Sequence, residues 1–530
     1  MDGGRRQEEM AERFKLEVKD GRRGERSGGK HRSISTPAVQ EFQKIAGEYG
    51  RSYYTEKDGV KRNSRLEREH DCALTRQLPG DGSLGRSDTV LLSFYLDHVL
   101  PYLFPFYHPS LLEGGRAWVL ELMLSSPVLR QTTLCQSSYF FSLARGSLGQ
   151  GTANSDIDLR TVIAQTRIGF DMLRQSLRVI DGQVITEHLF GAARVLVSII
   201  QMQRFEITVS NFDNCQEHFN AALTLFKQLL NSGLAAESAC PRSKFDAVFS
   251  CLGSASQTLP AQIVRVPTAE QSAFTFASAL LILDDIITST VLQEPPRLYE
   301  YHQDLLGNAF GIEPTINLEN VLGCQNWALL QIGEISFLDA WKQQCIRAGS
   351  LNVMELARRA TIIKHTLEAN IRQLESSPVV TRKGDNLVDI LAYSYGGQSQ
   401  NRVDQIVMAT SVWAHSALLY LYIVVSGQQP ASSDVRYSVG RIIELLSSKM
   451  SPKSLLRTLA WPFCVAGCLS EQENIFREMA QALQPPSIFG TVHKALEIME
   501  NVWHRRASED PLLNDLATCF RNQDGLVLLV

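Results

Sequence analysis

The sequence predicts an all-α protein, built as one large multi-helix domain behind a flexible basic amino-terminal tail. Apolar residues recur every three or four positions through most of the chain, as they do on one face of a helix. Period-two apolar segments bounded by Asn-Gly or Asp-Gly turns, the usual signature of strands, are not visible. With 44% hydrophobic and 20% charged residues, the 530-residue chain has the composition of a globular protein, which excludes wholesale disorder.

Residues 1–86 differ in composition from the rest and predict a solvated tail. The whole chain has a net charge of −4, yet its amino-terminal part is basic. Five cations are interleaved there with glycines: Arg22, Arg23, Arg26, Lys30 and Arg32. Such a segment has too few apolar residues to fold alone. Its cations suit nuclear import or nonspecific contact with DNA phosphates, although a disordered end without a partner explains the same pattern.

Residues 87–530 are expected to form the helical domain, and several helices can be placed directly. Phe219–Leu230 has an apolar stripe at helical spacing, followed by Asn-Ser-Gly as a stop signal. Leu455–Leu469 is apolar on nearly all sides, which predicts a helix enclosed by others. Ser470 and Glu473 have the spacing of a capping box for the next helix. Val492–Trp503 has another stripe, with charged residues on its opposite face.

The two longest apolar segments are expected to be buried helices, and no membrane partner is predicted. Ser272–Leu292 is interrupted by Asp284 and Asp285, and Ser416–Gly427 is too short to span a bilayer. The amino terminus has no apolar segment typical of a secretory signal. Ten cysteines are too few for a disulfide scaffold, which favours a reducing compartment.

Signatures of catalysis and metal binding are missing, so we predict that the chain is not an enzyme and has no catalytic, cofactor-binding or metal-binding residues. Phosphate-loop, dinucleotide, zinc-protease and serine-hydrolase motifs are all absent. Asp284 and Asp285 point about 100° apart on a helix, so they do not form a carboxylate dyad, and pairing with a buried arginine is one expected arrangement. His415 is expected to be a hydrogen-bonded core residue. Cys464 and Cys468 share a helix face, but no nearby cysteine or histidine completes four zinc ligands.

Tryptophan and glycine landmarks give the sequence a family resemblance. They comprise Trp461–Leu469, Phe489-Gly490, Lys494–Arg506 with its Asn501-Val502-Trp503, Tyr95–His98 through Pro105–Tyr107, Leu280–Thr290, and Gly323–Trp327 through Trp341-Lys342. Over about Ser87 to Val530 the sequence resembles the fungal-specific transcription factor domain of the binuclear zinc-cluster regulators. The resemblance implies an all-α nuclear domain that relays signals and contacts partners in the control of RNA polymerase II transcription.

The sequence departs from that family in one respect that bears on DNA recognition. The family's zinc cluster needs six closely spaced cysteines, whereas the first cysteine here is Cys72 and the next is Cys135. Since structural zinc supplies the folding energy of such modules, we expect DNA to be bound only weakly or through a partner. An upstream exon outside this sequence, evolutionary loss of the module, and nonspecific contact by the residues before Ser87 remain open explanations.

The expected partners are the transcription machinery or co-regulators, with a homodimer or heterodimer possible. A small-molecule effector between helices is a further possibility, and the aromatic residues considered for such a pocket are Phe94, Tyr95, Trp327, Trp413 and Trp461. Each of them is also a reasonable core residue. An α-helical enzyme with a site assembled from distant residues, and a structural adaptor, are the alternatives to a regulator.

Overall fold

The computed structural model describes residues 85–109, 114–147, 155–180, 188–209, 212, 214–234, 240–253, 266–307, 313–376, 399–506, 517, 520 and 526–530. All regular secondary structure in these ranges is helical, and they contain no strand, which confirms the all-α prediction. The basic residues predicted for the tail lie outside the described residues. The first helix among the described residues begins at Arg86, next to residue 87, at which the domain is predicted to start.

The first half of the domain contains nine α-helices among the residues that the structure describes. They are α1 (Arg86–Phe94), α2 (Leu100–Leu103), α3 (Ala117–Ser125), α4 (Pro127–Ser147), α5 (Ser155–Ile180), α6 (Leu189–Thr208), α7 (Cys215–Leu230), α8 (Pro241–Cys251) and α9 (Ala269–Leu292). A π-helical turn, Tyr95–Val99, joins α1 to α2. Helix α7 ends where the Asn-Ser-Gly stop signal begins, as its apolar stripe predicts.

The second half also contains nine α-helices within the described ranges. They are α10 (Tyr299–Leu306), α11 (Glu319–Leu322), α12 (Asn326–Arg347), α13 (Val353–Ser376), α14 (Ser399–Ser426), α15 (Ser433–Ser448), α16 (Ala460–Leu469), α17 (Glu473–Gln481) and α18 (Gly490–Arg506). Two short 3₁₀-helices, Lys453–Leu459 and Pro486–Ile488, precede α16 and α18.

Helix α9 is the centre of the first half. A capping box fixes its start, because Thr268 Oγ1 accepts from Gln271 N at 3.2 Å while Gln271 Oε1 accepts from Thr268 N at 2.9 Å. The helix packs against α3, α6, α7 and α12. It and Arg402–Ser426 of α14 are long and apolar enough to cross a membrane, but 89% of each apolar window is buried within the protein. Both are therefore core helices, as expected for the two long apolar segments.

Helix α14 is the centre of the second half and contacts α12, α13, α15 and α16. Helices α13 and α15 flank it and are joined across it by two ion pairs, Lys364–Asp434 and Glu375–Arg441, both 3.0 Å long. Since residue numbers increase together in these pairs, α13 and α15 run parallel. Gln405, in the second turn of α14, donates to the carbonyl of Lys449 just after α15, so the carboxyl ends of α13 and α15 lie at the same end of the bundle as the start of α14.

Glycines at two family landmarks permit close packing. Gly467 on α16 lies so near Met499 that a Cβ atom there would overlap the methionine sulfur, and its carbonyl accepts from Trp503 Nε1 at 2.9 Å. Gly323 ends α11 with φ +70°, and a Cβ atom there would overlap the ring of Phe106. Without side chains at these positions, α18 and the segment after α2 can approach closely.

The capping box predicted at Ser470 and Glu473 is wrong. Helix α17 begins at Glu473 after Gln472, without a side-chain cap. Ser470 Oγ instead accepts from Gln472 N at 2.9 Å. The Ser470 carbonyl accepts from Arg506 at 3.0 Å, so this residue connects α16 to the end of α18. The enclosed helix is confirmed, because every residue of α16 is buried and Pro462 lies in its first turn.

Candidate functional site

The aromatic residues considered for a pocket separate into two groups. Trp413 and Trp461 stack with ring centroids 5.6 Å apart and belong to a closed core, in which Trp461 Nε1 donates to Thr290 Oγ1 at 3.1 Å. Tyr95 is fully buried and accepts from Gln201 Nε2 at 3.3 Å. Phe94 packs edge-on against Phe141. Trp327 alone of the five lines a large cleft.

This cavity, the bundle-end cleft, lies where the ends of four helices meet. It has a volume of about 1180 Å³. Its walls come from the start of α12, the end of α13, the first turns of α14 and the end of α15, namely Gln325, Trp327, Asn370, Gln373, Leu374, Glu375, Val403, Asp404, Gln405, Val407, Met408, Ser411, Arg441, Leu445, Lys449 and Ser451. The described lining residues lie on these four helices or within three residues of their ends.

Helical periodicity explains how α14 forms the floor of the bundle-end cleft. Its lining residues Asp404, Met408 and Ser411 lie three or four positions apart, which places them on one face. The start of α12 is held against that floor, because Gln325 N donates to Thr410 Oγ1 at 3.1 Å. Gln325 Oε1 in turn accepts from Trp327 Nε1 at 2.8 Å, which fixes the indole ring.

The end of α15 is tied to the same floor by one amide. Gln405 Nε2 donates to the Lys449 carbonyl at 2.9 Å, and Gln405 Oε1 accepts from Ser451 N at 3.2 Å. The Gln405 side chain thereby binds two backbone groups: a carbonyl left free at the end of α15, and an N–H of the chain that follows α15. The cleft consequently has two walls fixed by hydrogen bonds to α14.

Charges in the bundle-end cleft are balanced. Arg441 bridges Glu375 on α13 at 3.0 Å and Glu444 on its own helix at 2.5 Å. Asp404 and Lys449 add one charge of each sign to the lining. Because Arg441 already serves two carboxylates, the lining residues that the structure describes offer no concentrated positive charge to an incoming ligand. This electrostatic character differs from that of a phosphate-binding site.

His415 lies one helical turn beyond Ser411 on α14 and is 2% exposed. Both ring nitrogens lack hydrogen-bond partners within the described part of the chain, so the expectation of a hydrogen-bonded histidine is wrong. Burial lowers the pKa of His415 to about 4, and the positive charge of Arg441 acts in the same direction while Glu375 opposes it. The imidazole is therefore neutral at physiological pH, next to the two residues of the α13–α15 bridge.

The acidic pair on α9 is structural. Asp284 is fully buried and accepts from Arg204 of α6 at 2.5 Å, which confirms the pairing with a buried arginine. Burial raises the pKa of Asp284 to about 6, although the guanidinium acts against this rise. Asp285 accepts from the backbone nitrogens of Arg297 and Leu298 at 2.9 and 2.8 Å, and so fixes the turn before α10. The two carboxylates thus have separate partners.

The thiols on α16 pack in the core. Cys464 and Cys468 are both fully buried, and Cys464 Sγ donates to the Ala495 carbonyl of α18 at 3.7 Å. Across the described ranges, no three His, Cys, Asp or Glu residues are grouped so that they could hold a metal ion. These thiols therefore serve as small apolar side chains between two helices.

Sequence reasoning identified one member of the cleft, Trp327, and missed the others. The available signal was Ser411, a polar residue that interrupts a largely apolar helix. The arginines predicted to contact phosphate, from Arg22 to Arg32, lie outside the described residues.

Comparisons with known proteins identify the family. Residues 90–529 match the model of the fungal specific transcription factor domain. Transcription factor dibT of Pestalotiopsis microspora is 34% identical over 450 residues, covering 82% of this chain and 70% of that protein. Pestheic acid cluster transcriptional regulator 3 of Pestalotiopsis fici is 25% identical, covering 81% of this chain and 73% of its own.

A third relative is covered almost completely. Trichothecene biosynthesis transcription regulator TRI10 of Fusarium sporotrichioides is 27% identical over 450 residues, covering 80% of this chain and 94% of that protein. No solved structure matches the chain. The resemblance expected from the tryptophan and glycine landmarks is confirmed by a match that spans most of the sequence. The chain belongs to the family of the fungal specific transcription factor domain and has the regulatory function predicted from that resemblance.

Proposed function

We propose that this chain regulates transcription of a set of biosynthetic genes in the nucleus, as a protein without enzymatic activity. Its helical domain, residues 87–530, would act by contacting co-regulators or the transcription machinery, as a monomer or as part of a dimer. The observation that carries the proposal is the domain match over residues 90–529 together with relatives named as regulators of biosynthesis or of a gene cluster.

The extent of one alignment supports a function centred on the helical domain. The TRI10 protein of Fusarium sporotrichioides has only a small part of its length outside the alignment, since 94% is covered. A protein named as a transcription regulator therefore consists almost entirely of sequence related to this chain. This coverage favours regulation through the helical domain, with a partner supplying the choice of DNA sequence.

Gene deletion in the source fungus tests the proposed function. We expect loss of the gene to change the transcripts of one co-regulated set of biosynthetic genes at least tenfold, and expect a fluorescent fusion of the full chain to accumulate in nuclei. Complementation with the intact gene is the control. Unchanged transcripts across biosynthetic gene sets, or a fusion excluded from nuclei, would contradict the proposal.

DNA contact by the basic segment is proposed to be weak and independent of sequence. We expect the full chain to bind random duplex DNA with an affinity that falls steeply with salt, because each neutralised phosphate releases counterions. Replacing Arg22, Arg23, Arg26, Lys30 and Arg32 with alanine should flatten the slope of log affinity against log salt by about 4. Fluorescence anisotropy measures both slopes. Equal slopes for the two proteins would exclude these residues as the DNA contact.

A further inference from the structure

We propose that the bundle-end cleft binds an uncharged, amphipathic ring compound of small-molecule size. Ligand cavities for such molecules have volumes on the order of 300–1,000 Å³, and the cleft has about 1180 Å³. It is large enough to take a compound of several fused rings. The biological meaning of this binding, as an effector of transcription, rests on the proposed function, whereas the binding itself does not.

The lining favours a compound with an apolar body. Trp327 presents an indole, and Leu374, Val407, Met408 and Leu445 supply aliphatic and thioether surface. A flat ring gains dispersion contacts against an indole that already has its orientation fixed by Gln325. The flexible methionine can adapt to the outline of the ligand.

Charge in the cleft selects against polyanions. A nucleotide needs several cations or a backbone cradle, but Arg441 is engaged by two carboxylates, and among the described lining residues only Lys449 remains as a cation. Asp404 and Glu375 would also repel phosphate. A neutral compound with hydroxyl or carbonyl groups avoids this repulsion and can use the amide of Asn370 and the hydroxyl of Ser411.

Titration of the full chain with Nile red, an uncharged fluorescent ring compound with a carbonyl, tests the proposal. We expect saturable binding of one dye molecule per chain, with the blue-shifted emission of an apolar site. Val407→Trp and Asn370→Trp, which fill the cleft from two different walls, should each weaken binding at least tenfold. Val353→Trp is the matched control, because Val353 is 65% exposed and does not line the cleft, and it should leave binding unchanged.

A competition experiment tests the chemistry of the ligand. Millimolar ATP should not displace the dye, because Asp404 and Glu375 in the described lining repel phosphate. Retained binding in both filled variants, with circular dichroism melts like those of the parent, would overturn the location. Absence of any binding would overturn the site, and displacement by ATP would overturn the preference for uncharged ligands. Dye binding without any transcript change on gene deletion would count against the proposed function alone.

Discussion

Two parts of α14 differ in how closely they are packed, although both belong to one apolar helix. From its middle towards its carboxyl end, Trp413 and Tyr420 pack against Trp461 with ring centroids 5.6 and 6.1 Å away. Near its start, the face carrying Asp404 and Met408 lines the bundle-end cleft. The difference arises from the neighbouring helices. Side chains of α16 fill the space beside the middle and carboxyl-terminal part of α14, whereas four helix termini meet at its start and leave a cavity there. Apolar composition alone does not distinguish the two.

Removing the aromatic centre should have the largest effect. Trp461→Ala deletes a fully buried side chain and its bond to Thr290, so we expect a loss of about 3–5 kcal/mol in the free energy of unfolding. Trp327→Ala in the cleft is the comparison, and its cost should be clearly smaller because that indole is only partly buried. Urea unfolding followed by circular dichroism measures both. Equal losses would remove the distinction between closed core and open cleft.

Breaking the buried ion pair between Asp284 and Arg204 should have the second-largest effect on the free energy of unfolding. Asp284→Asn leaves the guanidinium of Arg204 buried without its counter-charge, and we expect a loss of about 3 kcal/mol or more. Urea unfolding gives the value. Glu270→Gln, which removes the partner of the more exposed Arg194, serves as the control and should cost less. A change below about 1 kcal/mol at Asp284 would show that the pair is not a structural tie between α6 and α9.

Acid should destabilise the protein through His415. Its pKa of about 4 in the folded chain lies below the unfolded value of 6.5, so its contribution is complete above pH 6.5 and is lost as the pH falls towards 4. Arg441 and Glu375 are the charged groups near it. Relative to His415→Phe, the parent should lose about 2 kcal/mol of unfolding free energy between pH 7 and pH 5. Parallel pH profiles for the two proteins would show that this ring is not the titrating group.

The exposed bridge over α14 should contribute least. Glu375→Gln removes the pair with Arg441, whose partners are 44% and 26% exposed, so we expect a loss below about 1 kcal/mol. Lys364→Gln, at the other bridge between α13 and α15, is the matched variant. Thermal unfolding at low and high salt distinguishes an electrostatic contribution to stability, which salt screens, from a packing contribution, which salt leaves unchanged. A loss above 2 kcal/mol would mean that the bridge holds the bundle together.

Local sequence signals predicted the helices well. They did not predict the cleft, because its residues come from helices that are far apart in the sequence. The stripes at Phe219–Leu230 and Val492–Trp503 correspond to α7 and α18, since periodicity within one helix determines which face is buried. The capping box at Ser470 failed because its side chain binds Gln472, two residues on. No spacing rule could bring Trp327 and Arg441 together, because they lie on helices separated by more than 100 residues of chain.

Dye affinity and unfolding free energy, measured together for Val407→Trp and Trp461→Phe, test the central claim most directly. If the start of α14 binds ligand and the rest of the helix stabilises the core, Val407→Trp should weaken Nile red binding at least tenfold and leave the unfolding free energy unchanged. The second should lose stability, by about 1–3 kcal/mol, and keep the dye affinity of the folded protein. The claim would be contradicted if both properties changed together in either variant.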